Sequence, residues 1–197
     1  WHDDPVAQAR IGLRRGDEIL TINGTPASTA ITNNDFSALT ANVAGDALNL
    51  QVRRGTGSVV SLSLSATVFT LTPVQNSQVL TTPFGRKLGY VFVKDMVSQV
   101  NSPLASAMSS FKSQGVQDLV LDLRYNGGGL VSVGGTVASH VAGAAGNGLL
   151  FTRLLYNDRH QASNQDFLFG NPNAWAGFNR VYVLMGERTC SASEQVI

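Results

Sequence analysis

The stretch Asp118-Leu119-Val120-Leu121-Asp122-Leu123-Arg124-Tyr125-Asn126-Gly127-Gly128-Gly129-Leu130 most narrows what this chain can become. Its apolar run reads as a buried strand, and the strand feeds three glycines, where backbone can take positive φ and approach a ligand closely. A second stretch has the same plan. Val181 to Met185 is another apolar run, Gly186 closes it, and small polar residues lead to Ser191-Ala192-Ser193-Glu194 at what reads as a helix start. A hydroxyl placed there stands on a rigid edge beside N–H groups that lack intrahelical partners. That suits a nucleophilic serine, because the oxyanion it creates needs preorganised donors close by. The same four residues are also S-x-x-E, a capping box in which Ser191 merely closes a helix end. Taken alone, the segment carries both readings.

Taken together, the two stretches resemble the carboxy-terminal processing peptidases, also called tail-specific proteases, in which a D-L-R-x-N-x-G-G-L strand-turn lies upstream of an S-A-S-E segment. The resemblance implies a crotonase-like α/β peptidase core over residues 67–197. It also implies Ser191 as nucleophile, the N–H groups of Gly129 and Ala192 as oxyanion donors, and peptide-bond hydrolysis through an acyl-enzyme. The family's base is a lysine some two dozen residues after the nucleophile, but the sequence stops six residues past Ser191. Lys87, Lys94 and Lys112 all precede the glycine turn and match no catalytic position, so the base is expected beyond Ile197. The substrate implied is a protein or peptide, and no cofactor is called for. The implied location is periplasmic or otherwise exported, with any membrane anchor outside this segment. The rival is a scaffold that keeps the fold, has lost the chemistry and only binds peptides.

Upstream, Gly12-Leu13-Arg14-Arg15-Gly16-Asp17-Glu18-Ile19-Leu20-Thr21-Ile22-Asn23-Gly24 reads as a strand from Glu18 to Ile22 entering a tight Asn-Gly turn. Its wording closely resembles the centre of a PDZ domain, with Leu13 packing inward and Asp17 starting the strand; a generic β-rich domain built on the same turn is the other reading. Phe36, Leu39 and Val43 fall at helical spacing and predict a helix over 34–43. Strands at 47–53 and 59–65 form a hairpin across Arg54-Gly55-Thr56-Gly57. A PDZ domain binds an extended peptide by strand addition. The strand and carboxylate loop for that belong upstream of Gly12, where no glycine-rich loop stands, so the PDZ-like domain over 1–66 is expected to be incomplete and no peptide-binding residue is assigned.

The core then reads as strands at 74–80 and 88–93, a helix begun by Ser102-Pro103-Leu104 and ended at Gln114-Gly115, the Asp118 strand, a small-residue helix over 134–145, and a strand at 149–155. Strand, helix and strand in that order make a crossover in a mainly parallel sheet, and such sheets gather active residues at the carboxyl ends of their strands. Residues 157–179, with Pro172 and Trp175, read as a long polar loop.

Other chemistries find little to work with. A formal charge of +1 and 14% charged residues give no electrostatic case for nucleic acid or for a membrane surface. No apolar span is long enough to insert. The triple glycine lacks the lysine of a phosphate loop. His140, or His160 beside Asp158, leaves a Ser-His-Asp arrangement open, since triads occur in several chain orders. His2-Asp3-Asp4 is a solvated charged end before it is a metal site. Cys190, the single cysteine, is expected to be a small buried residue, without an adjacent cation to activate it.

Overall fold

Alternating apolar and polar residues govern the first part of the chain. The computed structural model describes residues 12–14, 16–172 and 177–197, and the chain divides into two units, Trp1–Thr70 and Leu71–Ile197. The turn expected over 5–9, the His2-Asp3-Asp4 group and Trp175 lie outside the described residues. In the first unit, β1 (Glu18–Ile22), β2 (Thr25–Pro26), β3 (Ala47–Arg53) and β4 (Val59–Ser65) form an antiparallel sheet in the order β2-β1-β3-β4. The expected Asn23-Gly24 turn joins β1 to β2, both residues at positive φ (48° and 82°), as two-residue hairpins require. Leu48, Leu50 and Val52 of β3 stand opposite Leu64, Leu62 and Val60 of β4. That row, with Ile22 and Leu13, makes the unit's core.

The helix of this unit is displaced from its expected place. α1 spans Ala27–Asn33, and only a 3₁₀ turn at Ser37–Leu39 falls within 34–43. Asn34 ends α1 in the left-handed conformation, φ 49°, and the Asp35 carboxylate then accepts the Ser37 N–H at 3.0 Å. Phe36, Leu39 and Val43 remain exposed. Helical spacing marks a face but supplies no surface for it to pack on, and here local side-chain caps prevail.

The second unit opens with β5 (Val74–Thr81) and β6 (Lys87–Val93), succeeded by α2 (Asn101–Ser113), β7 (Asp118–Asp122), α3 (Val131–Ala142), β8 (Leu150–Leu154), β9 (Gln165–Leu168) and β10 (Arg180–Leu184). One sheet runs β10-β7-β6-β5, with β6, β7 and β10 parallel and β5 antiparallel at an edge. Its core holds Val91 and Val93 from β6, Leu104, Met108 and Phe111 from α2, Leu119 and Leu121 from β7, and Val133 and Val137 from α3. Gly89 gives α2 its close seat, since a Cβ there would stand 2.9 Å from the Phe111 ring. The loop over 157–179 contains an unexpected strand: β9 pairs antiparallel with β8, gripped by the Arg153 guanidinium on Asp166, Nη2 to Oδ2 2.6 Å. The apolar run of β10 suggests burial on both faces. Instead Val181 and Val183 pack on the core while Tyr182 and Leu184 face outward, so that only one face of the strand is covered among the described residues.

The amino ends of the parallel strands are tied by charge. Asp118, 4% exposed, receives Arg86 through Nε and Nη2 (3.1 and 2.9 Å) and Arg180 through Nε and Nη2 (3.3 and 3.0 Å). Two guanidinium forks on one carboxylate fix β7 between its neighbours in both direction and register. The opposite, carboxyl ends are left to the loops.

Candidate active site

β6, β7 and β10 finish level with one another, Phe92 and Leu184 both paired to Asp122. Beyond that line Leu123 N–H donates to Leu184 O (2.9 Å), and the Thr189 hydroxyl donates to Leu123 O (2.8 Å). The turn after β7 and the turn after β10 therefore leave the sheet bound together. Asp122, 1% exposed, braces the first of them. It accepts Tyr90 Oη (2.7 Å), Arg124 Nη2 (2.7 Å) and Arg124 N–H (3.0 Å). Burial pushes its carboxyl upward, but the hydrogen bonds from Arg124 and Tyr90 outweigh that and hold it below the ordinary carboxylate value. The Asp122–Arg124 pair thus braces the turn.

The glycines meet Ser191. A Cβ on Gly128 would stand 2.7 Å from Ser191 Cβ, 2.8 Å from Cys190 O and 3.0 Å from Ala192 N, so only a residue without a side chain lets the two loops touch. Gly128 has φ +99°. Gly129, at φ +136°, is pressed against the Met96 backbone, where Met96 N–H donates to Gly128 O (2.9 Å) and Leu130 N–H to Met96 O (2.7 Å). The glycine turn is consequently gripped from the β6 side and from the β10 side. Ala192 is fully buried, and its carbonyl lies where a Cβ on Gly134 of α3 would come within 2.9 Å.

Ser191 itself is exposed and has φ +56°. A non-glycine residue in that region carries strain of about 1–3 kcal/mol, which persists where surrounding contacts over-determine it. Of the capping box only half is made: the Glu194 carboxylate accepts the Ser191 N–H at 2.9 Å. The Ser191 hydroxyl makes no hydrogen bond among the described residues. The segment Ser191–Val196 forms a 3₁₀ turn rather than an α-helix. Among the described residues, neither Ala192 N–H nor Gly129 N–H has a partner, whereas Gly128 N–H is engaged by Asn126 Oδ1 at 3.0 Å.

Asn126, completely buried, holds this arrangement; it is the asparagine of the strand-turn motif, but the sequence alone gives it no role. Its Oδ1 also accepts the Ser193 hydroxyl (2.6 Å), and its Nδ2 donates to Val93 O at the end of β6 (3.0 Å). Its carbonyl accepts Cys190 N–H (3.2 Å). The available signal is an asparagine between a charged strand end and three glycines, but its partners lie 33 and 67 positions away.

Other sequence candidates stand apart. Lys87 Nζ donates to Gln114 O (2.7 Å), and Lys94 Nζ to Tyr125 O (3.1 Å); Lys112 is on α2. His140 is buried in α3, where desolvation lowers its pKa. His160 is exposed in the segment before β9. Neither donates to or accepts from Ser191 among the described residues, which leaves the Ser-His-Asp arrangement without its central contact. Cys190 is exposed rather than buried, because the chain turns Thr189, Ala192 and Ser193 inward around it. Among the described residues no group of three or more His, Cys, Asp or Glu is placed to hold a metal, and no helix is long and apolar enough to cross a membrane.

Comparison with known proteins bears on this geometry. Residues 87–197 match peptidase family S41. The chain is 28% identical over 195 residues to the chloroplastic C-terminal processing peptidase of Tetradesmus obliquus, covering 94% of this chain and 40% of that protein. Among solved structures it is similar to a putative S41 protease from Bacteroides fragilis, with TM-score 0.64, 28% identity, and 96% of this chain against 52% of that one. It is also similar to the photosystem II D1 C-terminal processing protease, with TM-score 0.60, 26% identity, and 98% against 50%. The chain spans about half, or less, of the length of these relatives.

Proposed function

Because the chain belongs to peptidase family S41, whose match takes in more than half of it, we propose that it forms the nucleophile-bearing part of a serine endopeptidase of the carboxy-terminal processing type. The observation that carries the proposal is the contact of Gly128 with Ser191 and Ala192. It brings two strand ends with small-residue turns into one site at the carboxyl edge of the parallel strands.

In this reading Ser191 Oγ attacks the carbonyl of a peptide bond, and the N–H groups of Gly129 and Ala192 receive the negative charge that develops on the carbonyl oxygen. The amine leaves with the serine proton, and water then releases the acyl group from Ser191. Gly128 N–H is already committed to Asn126, which favours Gly129 as the donor on the first loop. The proton acceptor is a lysine in sequence following Ile197, made basic by desolvation. The first unit is a PDZ-like module, supported by its four-stranded sheet and the inward packing of Leu13. The substrate is a protein or peptide. The compartment is an exported one, in keeping with the chloroplastic relative.

The test is hydrolysis of an unstructured polypeptide by the complete reading frame, with and without Ser191→Ala. The substitution is expected to lower kcat by at least three orders of magnitude with substrate binding kept, on the order of what loss of a serine nucleophile costs. Equal turnover by the two proteins would remove the assignment.

A further inference from the structure

We propose that the buried Asn126 carboxamide, together with the Ser193 hydroxyl, is the positioning device that sets which main-chain N–H groups face the reacting carbonyl. The inference rests on the peptidase reading above and names residues that neither the match nor the reaction requires as reactants. Three strand ends have to agree for the site to work, and Asn126 touches all three. Its Nδ2 is held by Val93 O at the end of β6, its own backbone continues from β7, and its Oδ1 receives Ser193 Oγ from the turn after β10. An asparagine oxygen only accepts, so the 2.6 Å contact fixes the direction: Ser193 donates, and the carboxamide orientation is decided by Val93 O on its other end.

The second bond to Oδ1 determines the chemistry. By drawing in Gly128 N–H at 3.0 Å, the carboxamide turns that peptide inward and leaves the next N–H, that of Gly129, without an internal partner among the described residues. Ser193 performs the corresponding task on the other loop, since it lies one residue after Ala192 and is wholly buried. One oxygen atom thus fixes the spacing between the Gly129 and Ala192 donors. Oxyanion donors act through preorganisation, and a displacement near 1 Å costs on the order of 10²-fold in rate. A residue that sets their spacing should therefore change kcat and leave KM nearly alone.

Asn126→Asp tests this in the complete protein. The change is nearly isosteric, keeps both acceptor contacts, and replaces the donor to Val93 O with a carboxylate oxygen. The ionised form sets two acceptors against each other and adds negative charge beside the developing oxyanion. Protonation restores the donor. With an unstructured polypeptide as substrate, the variant should show kcat reduced on the order of 10²-fold at about pH 8 with KM within a factor of about three. The ratio of variant to wild-type kcat should rise as pH is lowered. Ser193→Ala, which removes only the bond across the loops, should lower kcat by roughly ten-fold without that pH dependence. Melting temperatures establish that each variant is folded, and if Asn126→Asp is not, Ser193→Ala decides by the same split between kcat and KM. Wild-type kcat in a folded variant, a defect confined to KM, or a variant-to-wild-type ratio for Asn126→Asp that is flat with pH would overturn the inference. Ser191→Ala assayed alongside separates the two levels: if it keeps activity, the peptidase reading has failed instead.

Discussion

Gly128 and Ser191 share a constraint that neither could satisfy alone. The glycine takes φ +99° and the serine φ +56°, so one turn gives up its side chain and the other accepts strain to bring the loops within contact. Gly128→Ala adds a Cβ into 2.7–3.0 Å of Ser191, Cys190 and Ala192. It should destabilise the second unit by about 1–3 kcal/mol and reduce kcat more than ten-fold, read by thermal melting and by polypeptide hydrolysis; an active, wild-type-stable variant would refute the packing. Ser191 and the glycine turn can be read from the sequence because strand-end composition and S-A-S-E are local. Asn126 and Ser193 stand in the same motifs, but what they do cannot be read there. Their roles consist of hydrogen bonds across 67 positions, and a buried polar residue shows itself only when its partners are known. Cys190 departs from expectation for a related reason: the small size that suits a buried cysteine does not say which way the chain faces after a turn.

Elements with strict alternation are legible to the residue. The β3–β4 hairpin comes from Leu48-Asn49-Leu50-Gln51-Val52 and Val60-Ser61-Leu62-Ser63-Leu64 around Arg54-Gly55-Thr56-Gly57. α2 is marked at its end by Gln114-Gly115, within a residue, but it begins at Asn101, two residues before Pro103, and Ser102 lies inside it instead of capping it. Two elements escape for opposite causes. The helix expected over 34–43 has the spacing but no surface to cover, while β9 has neither spacing nor length and exists through its pairing with β8 and the Arg153–Asp166 fork. Packing of α2 on β6 depends on Gly89. Gly89→Ala, with its Cβ 2.9 Å from the Phe111 ring, should cost about 1–3 kcal/mol as the helix is pushed outward, seen as a lower urea midpoint. Phe111→Ala should cost about 3–5 kcal/mol, and a milder loss than that of Gly89→Ala would show that α2 is not seated there.

Across the second unit, buried charge sets how stability answers to pH. Hydrogen bonds from Arg180, opposed by burial and joined by those from Arg86, hold Asp118 below the ordinary carboxylate value, and Asp122 is likewise lowered. The unfolded chain therefore takes up these protons more readily than the folded one. Their contribution is complete above the unfolded value near pH 4 and is lost as pH falls through the lower folded values. His140 acts in the same direction at higher pH: burial lowers its pKa, the unfolded imidazole is protonated below about pH 6.5, and stability declines below that point. Denaturation midpoints measured from about pH 8 to about pH 2 should fall first below about pH 6.5 and more steeply below about pH 4, and Asp118→Asn should flatten the lower limb. A midpoint constant between about pH 7 and about pH 5 would contradict the lowering of the His140 pKa by burial.

In the proposed reading the strained Ser191 hydroxyl, which the close approach of Gly128 brings beside the glycine turn, is the nucleophile. Reaction of the complete protein with a fluorophosphonate, read out by peptide mass spectrometry, probes this directly, because the phosphoryl oxygen must occupy the position of the oxyanion for the adduct to form. A single adduct on Ser191 is expected, sharply reduced in Gly128→Ala; labelling elsewhere, or none while the protein still cleaves polypeptide, would contradict the account.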